Sequence, residues 1–336
     1  MSTLKEILLN KKICKSIWFM RQAGRYLPEF KEIRSKNKNF IELCLNSQLS
    51  SKLTLQPIER FDLDSAIIFS DILLIPYALG QNITFIKDQG PELSEFNLES
   101  FLDTDERQFI KKLNPVYKAI EITRKKLNKK KSLICFVGAP WTLLVYMLKL
   151  KKTNNQLELN KFNEINSFTE KVLKKLIEIS CIHIQNQIDA GADVVQIFDS
   201  WAGILPKTYL KELCFNTNFK IIEFCKKKKI PNICFPKGIK NEYKEFNNFV
   251  KPDGINIDYE VEPSWAKINL KNVVIQGGLN PKILLDKEDK MIQAATKYIR
   301  TFKDTPYVFN LGHGLLQETD PDRVEKLVKF YRNYNG

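Results

Sequence analysis

Arginine is scarce in this chain. Of its 53 basic residues only nine are Arg, none of them between Arg124 and Arg300, and histidine occurs twice. So few imidazoles exclude His-rich metal or relay chemistry, and any pair of arginines stands out as placed for its geometry. The planar guanidinium fork holds a carboxylate bidentately, which an ammonium does not. The seven cysteines form no C-x-x-C and follow no histidine in an H-x-C. Cys181-Ile182-His183 is the one close Cys/His pair, and it falls in a predicted helix, where residues two apart do not face each other. An odd, scattered set of this kind reads as reduced thiols, so neither a disulfide framework nor a metal is expected. No stretch approaches the roughly 18 apolar residues of a membrane span, so no membrane partner is expected. Met1 to Lys15 mixes Lys, Glu and Asn with short apolar pairs. That segment lacks the hydrophobic region of a signal peptide, and the expected location is the cytoplasm.

What is abundant is lysine. It gives a formal net charge of +14 and a pI near 9.3, which invites a nucleic-acid reading. Against it, the lysines are strewn through helices, with local runs at Lys129–Lys131 and Lys226–Lys229, in a chain also rich in Asn and Ile. A compositional bias of the coding sequence accounts for them equally well, so no nucleic-acid partner is expected. A positive surface still steers a polyanionic metabolite, with an effect that fades as salt rises.

Short β-branched runs alternate with long amphipathic stretches. The predicted strands are Ser65–Phe69, Leu133–Val137, Asp193–Phe198, Asn232–Phe235, Gly254–Ile257, Val273–Gln276 and Tyr307–Asn310. Most are continuously apolar, as parallel strands buried on both faces are. The clearest helical patterns are Asp105–Leu127 and Phe168–Ala190, the second ending in the glycine stop Ala190-Gly191-Ala192. Residues 80–103 read as a loop or hairpin excursion. Seven strands alternating with helices predict an α/β fold, a (β/α)8 TIM-type barrel whose eighth strand hides in an irregular part. A doubly wound open sheet is the alternative, and no GxGxxG supports it. With no linker, repeat or low-complexity tract, residues 1–336 are expected to form one domain.

In such a barrel the chemistry sits on loops after the strands. Ser70-Asp71, Gly138-Ala139-Pro140, Asp199-Ser200, Lys237-Gly238, Gly277-Gly278 and Gly312-His313-Gly314 all fall there. The most informative stretch precedes the first strand: Trp18-Phe19-Met20-Arg21-Gln22-Ala23-Gly24-Arg25-Tyr26-Leu27-Pro28. Two arginines lie four apart around a glycine that lets the backbone approach a ligand. The bland reading is a helix start with surface ion pairs.

This stretch resembles the N-terminal signature of the uroporphyrinogen decarboxylases. Further matches follow in order: Phe69–Leu73, Gly138–Thr142, Phe198–Gly203, Phe235–Gly238, Gln276–Pro281 and Asn310–Gly314. Within Gln276–Pro281, Gly278 and Asn280 stand where the resembled pattern more often has Asn and Asp. The resemblance implies a barrel, a homodimer, and removal of four acetate carboxylates from an anionic tetrapyrrole without a cofactor. The product would be coproporphyrinogen III, on the route to haem.

Asp71 lies between two apolar runs and is costly to bury unpaired. Its bland reading is an N-cap. The resemblance makes it the acceptor for pyrrole N–H groups at the macrocycle centre and, with Arg21, the catalytic pair. Arg21 and Arg25 would grip carboxylates, with backbone amides of Gln22, Ala23 and Gly24 adding anion contacts. Tyr146, on a helix after Pro140, reads as core from pattern alone; the resemblance makes it a hydroxyl near Asp71. Ser200 is a small hydroxyl for a side-chain carboxylate, not a nucleophile, since no GxSxG surrounds it. His313, between two glycines, would bind a carboxylate, whereas His183 reads as structural. Asp199 and Lys237 are weaker nominations. Two rivals stand beside this reading. One is a zinc-dependent corrinoid or thiol methyltransferase, which wants the H-x-C that is missing here. The other is a non-catalytic basic protein binding a tetrapyrrole or nucleic acid.

Overall fold

A computed structural model describes residues 2–86, 90–151, 156–158 and 166–335. Its frame is a parallel sheet of seven strands. In a chain numbering that includes a small hairpin, they are β1 (Ser65–Ile67), β4 (Ser132–Gly138), β5 (Val194–Asp199), β6 (Asn232–Pro236), β7 (Gly254–Ile257), β8 (Val274–Gly277) and β9 (Tyr307–Val308). They pair in the order β1-β4-β5-β6-β7-β8-β9. Each predicted strand is present, the first and last shortened at their C-terminal ends. Phe69 leaves the ladder because its N–H turns to Thr54 Oγ1, at 2.8 Å.

The eighth stave is the extended segment around Ile17. It bridges Phe309 in parallel, with Trp18 N–H donating to Phe309 O at 3.3 Å and Phe309 N–H to Ser16 O at 2.9 Å. On its other side Asp64 N–H donates to Ile17 O at 2.9 Å, and Asp64 Oδ2 accepts from Ile17 N–H at 2.7 Å. The sheet therefore closes into a barrel, and a stave of three residues is too short to announce itself by periodicity.

Two apolar cores follow from strand alternation. Inward residues Trp18, Ile67, Ile134, Val194, Ile233, Val274 and Val308 fill the barrel, plugged from below by Leu4, Ile7 and Leu8 of the helix Thr3–Asn10. Outward residues pack under the surrounding helices. The interior is not uniformly apolar. Trp18 Nε1 donates to Gln276 Oε1 at 3.0 Å, and Gln276 Nε2 donates to Asn256 Oδ1 at 2.9 Å and Gln196 Oε1 at 3.1 Å. These amides pair with one another, which offsets most of the cost of burying them, although Gln196 Nε2 has no partner among the described residues.

Glu106–Lys126 and Asn166–Asp189 are the two long predicted helices. The excursion holds an antiparallel hairpin, β2 (Ile83–Ile86) with β3 (Gly90–Leu93), and the short helix Leu98–Asp103. At the departure noted above, Gly278 takes φ +98°, and a β-carbon there would lie 2.5 Å from Tyr298 Cε1. Glycine is what fits beside Tyr298.

Candidate active site

The loops after the strands gather at one end of the barrel, and the site is built there. Phe19 to Gln22 makes a tight turn, Gln22 N–H donating to Phe19 O at 3.1 Å, with Arg21 at φ +60°. A left-handed arginine is strained by about 1 kcal/mol or more and persists where its surroundings over-determine it. Here they do. Gln22 Oε1 accepts from Phe19 N–H at 3.1 Å while its Nε2 donates to Ser65 O at 3.0 Å. Met20 N–H donates to Asn310 Oδ1 at 3.1 Å, and Met20 O accepts from Leu315 N–H at 2.9 Å. The turn aims the Arg21 stem across Gly314, where no β-carbon obstructs it.

Asp71 follows β1. Its Oδ1 accepts from Leu73 N–H at 2.8 Å, and Oδ2 has no protein donor among the described residues. The N-cap reading is thus half met: the carboxylate closes a local turn, but the helix Leu74–Ala78 has Leu73, not Asp71, at its cap. Burial pushes the Asp71 carboxyl up to about 6, against the opposing pull of the Leu73 N–H and the Arg21 charge. Arg21 and Asp71 act on each other electrostatically but make no ion pair. Both are accessible to water while ringed by protein, as groups lining a recess are. Burial lowers the Arg21 guanidinium from its ordinary value, with Asp71 and Tyr146 opposing.

Around them stand groups from other strands. Tyr146 lies on the helix Pro140–Met147 after β4; burial raises its phenol, and Asp71 acts in the same direction. Its ring meets that of Trp201, after β5, at 5.9 Å and 65°. Lys237 follows β6, its ammonium lowered by burial, with Arg21 adding to the effect and Asp258 resisting it. His313 follows β9. Its Nδ1 accepts from Gly314 N–H at 2.7 Å, which makes it the neutral tautomer with hydrogen on Nε2. Burial, then the charges of Lys237 and Arg21, pull it down to about 3. Arg21 links these groups: it acts on Asp71 and Tyr146 on one hand and on Lys237 and the neutral His313 on the other, with Asp258 and Glu260 also acting on Lys237.

The other nominated residues fare differently. Arg25 is exposed, near enough to Arg21 for the charges to repel, and lines a recess of about 510 Å³ with Lys31 and Arg34. Gln22 corrects the expectation of an amide anion contact: its N–H and its carboxamide are all spent holding the turn. The N–H groups of Ala23 and Gly24 remain without a protein acceptor among the described residues. Ser200 is half-buried and makes no hydrogen bond among the described residues. Asp199 is fully buried and satisfied, accepting from Thr142 Oγ1 at 2.6 Å and Asn218 Nδ2 at 2.9 Å, and so is structural. His183 is likewise a core residue, its Nδ1 3.0 Å from Tyr117 Oη. Trp201 and Gly314 went unassigned from sequence, although both lie inside quoted motifs.

A profile of the family described as uroporphyrinogen decarboxylase (URO-D) matches residues 13–334. The chain belongs to the uroporphyrinogen decarboxylase family. It is 44% identical over 329 residues to the uroporphyrinogen decarboxylase of Orientia tsutsugamushi (strain Boryong), covering 95% of this chain and 94% of that one. It is 40% identical to that of Rickettsia felis, covering 95% and 93%, and 38% identical to that of Wolbachia pipientis wMel, covering 95% and 94%. Among solved structures a methyltransferase from Methanosarcina mazei superposes with a TM-score of 0.80 at 16% identity over the whole of both chains. A B12-independent methionine synthase from Shewanella gives 0.54 at 10% identity, over 86% of this chain and 87% of that one. At such identities these two speak for the shared barrel alone. Among the described residues no group of three or more His, Cys, Asp or Glu lies together to hold a metal, and the cysteines are free.

Proposed function

We propose that this protein decarboxylates the four acetate side chains of uroporphyrinogen III to methyl groups, giving coproporphyrinogen III in porphyrin biosynthesis, with no metal or organic cofactor. The observation that carries this reading is Asp71. It presents a carboxylate oxygen that is unpartnered among the described residues, close enough to Arg21 and Tyr146 for their charges to act on one another. Family membership and the names of the relatives support the substrate.

The chemistry needs an electron sink beside each acetate. Protonation of the ring carbon next to the acetate-bearing carbon makes a cationic, iminium-like pyrrole. The C–CO2 bond then breaks, and its electron pair neutralises the ring as an exocyclic methylene. That carbon takes a proton to become methyl, and loss of the proton first added restores the pyrrole. Each turn consumes one proton and releases one CO2. Asp71 accepts the pyrrole N–H groups and opposes the transient positive charge. One ion pair at about 4 Å is worth roughly 4 kcal/mol at an effective dielectric near 20. Realised only in the transition state, that is about three orders of magnitude in rate.

Arg21 holds the reacting acetate, assisted by Arg25 and the Ala23 and Gly24 amides. Its role is position and charge, because a guanidinium does not give up its proton. Tyr146 and the His313 Nε2–H are donors to Asp71 or to substrate carboxylates, and Ser200 to a peripheral one. The same reading places the protein in the cytoplasm as a homodimer, so sedimentation should return twice the 39.2 kDa chain mass.

The test is anaerobic incubation of metal-free, cofactor-free protein with uroporphyrinogen III, followed by oxidation and chromatography. Stepwise loss of four carboxylates is expected. A folded sample that yields none of the partly decarboxylated products, or that turns over only after zinc is supplied, would overturn the reading.

A further inference from the structure

The charge of this protein is concentrated on one face. The segments that end each helix and lead into each strand all lie at the closed end of the barrel, opposite the site. They are 2–15, 57–64, 122–131, 187–193, 223–231, 248–253, 265–273, 299–306 and 329–335. The N-terminal helix plugs that end, and Lys11 Nζ donates to Asp253 O at 2.9 Å just ahead of β7. Together these segments carry 22 Lys and Arg against nine Asp and Glu, leaving 31 against 30 in all the rest. Nearly the whole net charge is therefore on the closed end.

Helix macrodipoles favour a cation in the last turn of each helix, which accounts for single lysines. Exposed clusters such as Lys226–Lys229, or Lys125 and Lys126 with Lys129 and Lys130, go beyond that. None of these eight lysines makes an ion pair among the described residues, whereas the arginines of the face are engaged. Arg124 pairs with Asp193 at 2.9 Å, Arg332 with Asp64 at 2.9 Å and Arg60 with Glu29 at 3.3 Å, and Arg300 Nε donates to Tyr334 Oη at 2.8 Å. Three large apolar side chains share the face: Leu9 at 43% exposed, Ile13 at 56% and Ile268 at 65%. Leu9 and Ile13 flank Lys11, ahead of β7, and Ile268 precedes the neighbouring β8.

We propose that this closed face docks on an anionic lipid surface, with the lysine runs on headgroups and Leu9, Ile13 and Ile268 dipping between them. Free lysines among isolated exposed aliphatics suit a charged interface above an apolar layer. Nucleic acid would instead be read through guanidinium forks and stacking aromatics, and here the arginines are occupied. Docking this way leaves the mouth of the barrel open to water.

The test uses the full chain and flotation with vesicles. Vesicles of phosphatidylcholine with about a third phosphatidylglycerol should bind it, pure phosphatidylcholine should not, and raised salt should weaken the binding. Each lysine near such a surface is worth about fivefold in affinity. Replacing Lys226, Lys227, Lys228 and Lys229 by Gln should cost about several hundredfold while decarboxylation is unchanged. Leu9→Ser with Ile13→Ser should remove the part of the binding that survives high salt. The control removes the same charge from the mouth side, as Lys207, Lys211, Lys287 and Lys290→Gln, and should bind nearly as the parent does. Equal losses in the control would mean that total charge, not this face, drives binding, and would overturn the proposal. Failure to float with anionic vesicles, or preference for random duplex DNA over vesicles at the same salt, would overturn it too.

Discussion

The side chain of Arg21 crosses the bare backbone of Gly314. A β-carbon at 314 would lie 2.6 Å from Arg21 Cγ and 2.9 Å from its Nε. The contact ties the first functional loop to the last, across the seam where the Ile17 segment closes the barrel. Gly314→Ala forces Arg21 to another rotamer, because the turn that carries it is anchored on four sides. The fold should survive with little change in Tm, since a flexible side chain moves rather than a core. A charge-assisted bond to a carboxylate is worth about 1.5–3 kcal/mol, so kcat/KM should fall ten- to a hundredfold. Kinetics on the folded variant check this, and an unimpaired Gly314→Ala would mean that Arg21 works equally well elsewhere.

Asp71 gives a prediction with two signs. Its carboxyl sits at about 6 in the folded protein, above the ordinary value of 3.8, chiefly because of burial. The ionised form is the working one, so kcat/KM should fall about tenfold per unit as pH drops below about 6. Stability runs the other way. A folded pKa raised above the unfolded one stabilises the protonated state, and that contribution is lost as pH rises from about 4 through about 6. Asp71→Asn removes the charge and keeps an acceptor for Leu73 N–H. It should lower kcat about a thousandfold with KM changed only severalfold. Its melting temperature should exceed the parent's at pH 8 and match it near pH 4.

Arg21→Lys keeps the charge and loses the fork. A compact ammonium cannot make two parallel bonds to one carboxylate, so we expect kcat/KM to drop at least tenfold. Steady-state rates on uroporphyrinogen III check it, and wild-type values would place Arg21 at the periphery.

The sequence made the scaffold readable because each parallel strand is a short apolar run bounded by turn chemistry, as in Val194–Asp199 and Asn232–Pro236. It hid the Ile17 stave, which is three residues long, and the inner amides of Gln196, Asn256 and Gln276, whose pairing exists only once the barrel closes. Asp71, Tyr146, Lys237 and His313 come to the same end of the barrel as Arg21 because each lies just after a strand, a placement that strand periodicity makes legible. Gln22 was misjudged for a physical reason. A backbone N–H next to an arginine in a glycine-containing loop reads as an anion contact, yet the Gln22 N–H is taken by Phe19 O and its carboxamide braces the left-handed turn. Asp199 shows the converse: strand alternation turns it outward to Thr142 and Asn218, while its neighbour Phe198 faces the barrel.

His313 should not titrate near neutrality. Burial first, then Lys237 and Arg21, hold its pKa near 3, and Gly314 N–H occupies Nδ1. Nitrogen NMR should find the neutral Nε2–H tautomer from pH 8 to pH 5. Because the folded pKa is depressed below the unfolded value of about 6.5, its stabilising share is present above that pH and is lost as pH falls toward 3. His313→Gln offers an N–H in a similar place and should retain most activity. His313→Ala should raise KM about tenfold with kcat less affected, the mark of a group that holds a carboxylate in ground and transition states alike.

Trp201 is the residue whose role most needs a measurement. Its backbone is fixed, N–H donating to Thr142 Oγ1 at 3.1 Å and O accepting from Trp141 Nε1 at 2.9 Å. Its ring is held between Tyr146 and the Lys151 ammonium, which lies 4.5 Å from the ring centroid. The indole Nε1–H is buried and meets no acceptor in ideal hydrogen-bond geometry among the described residues, yet it lies close enough to Tyr146 to pull the phenol's pKa down against burial. Tyr146 Oη is the adjacent candidate. An indole can only donate, so a phenol that accepts from it must send its own proton onward, to Asp71 or to a substrate carboxylate. Trp201→Phe keeps the ring and deletes the donor. It should cost about tenfold in kcat/KM, and the loss should not add to that of Tyr146→Phe, because both changes break one chain of hydrogen bonds. Full additivity would mean that Trp201 merely packs against Tyr146 and that the phenol is oriented by another group.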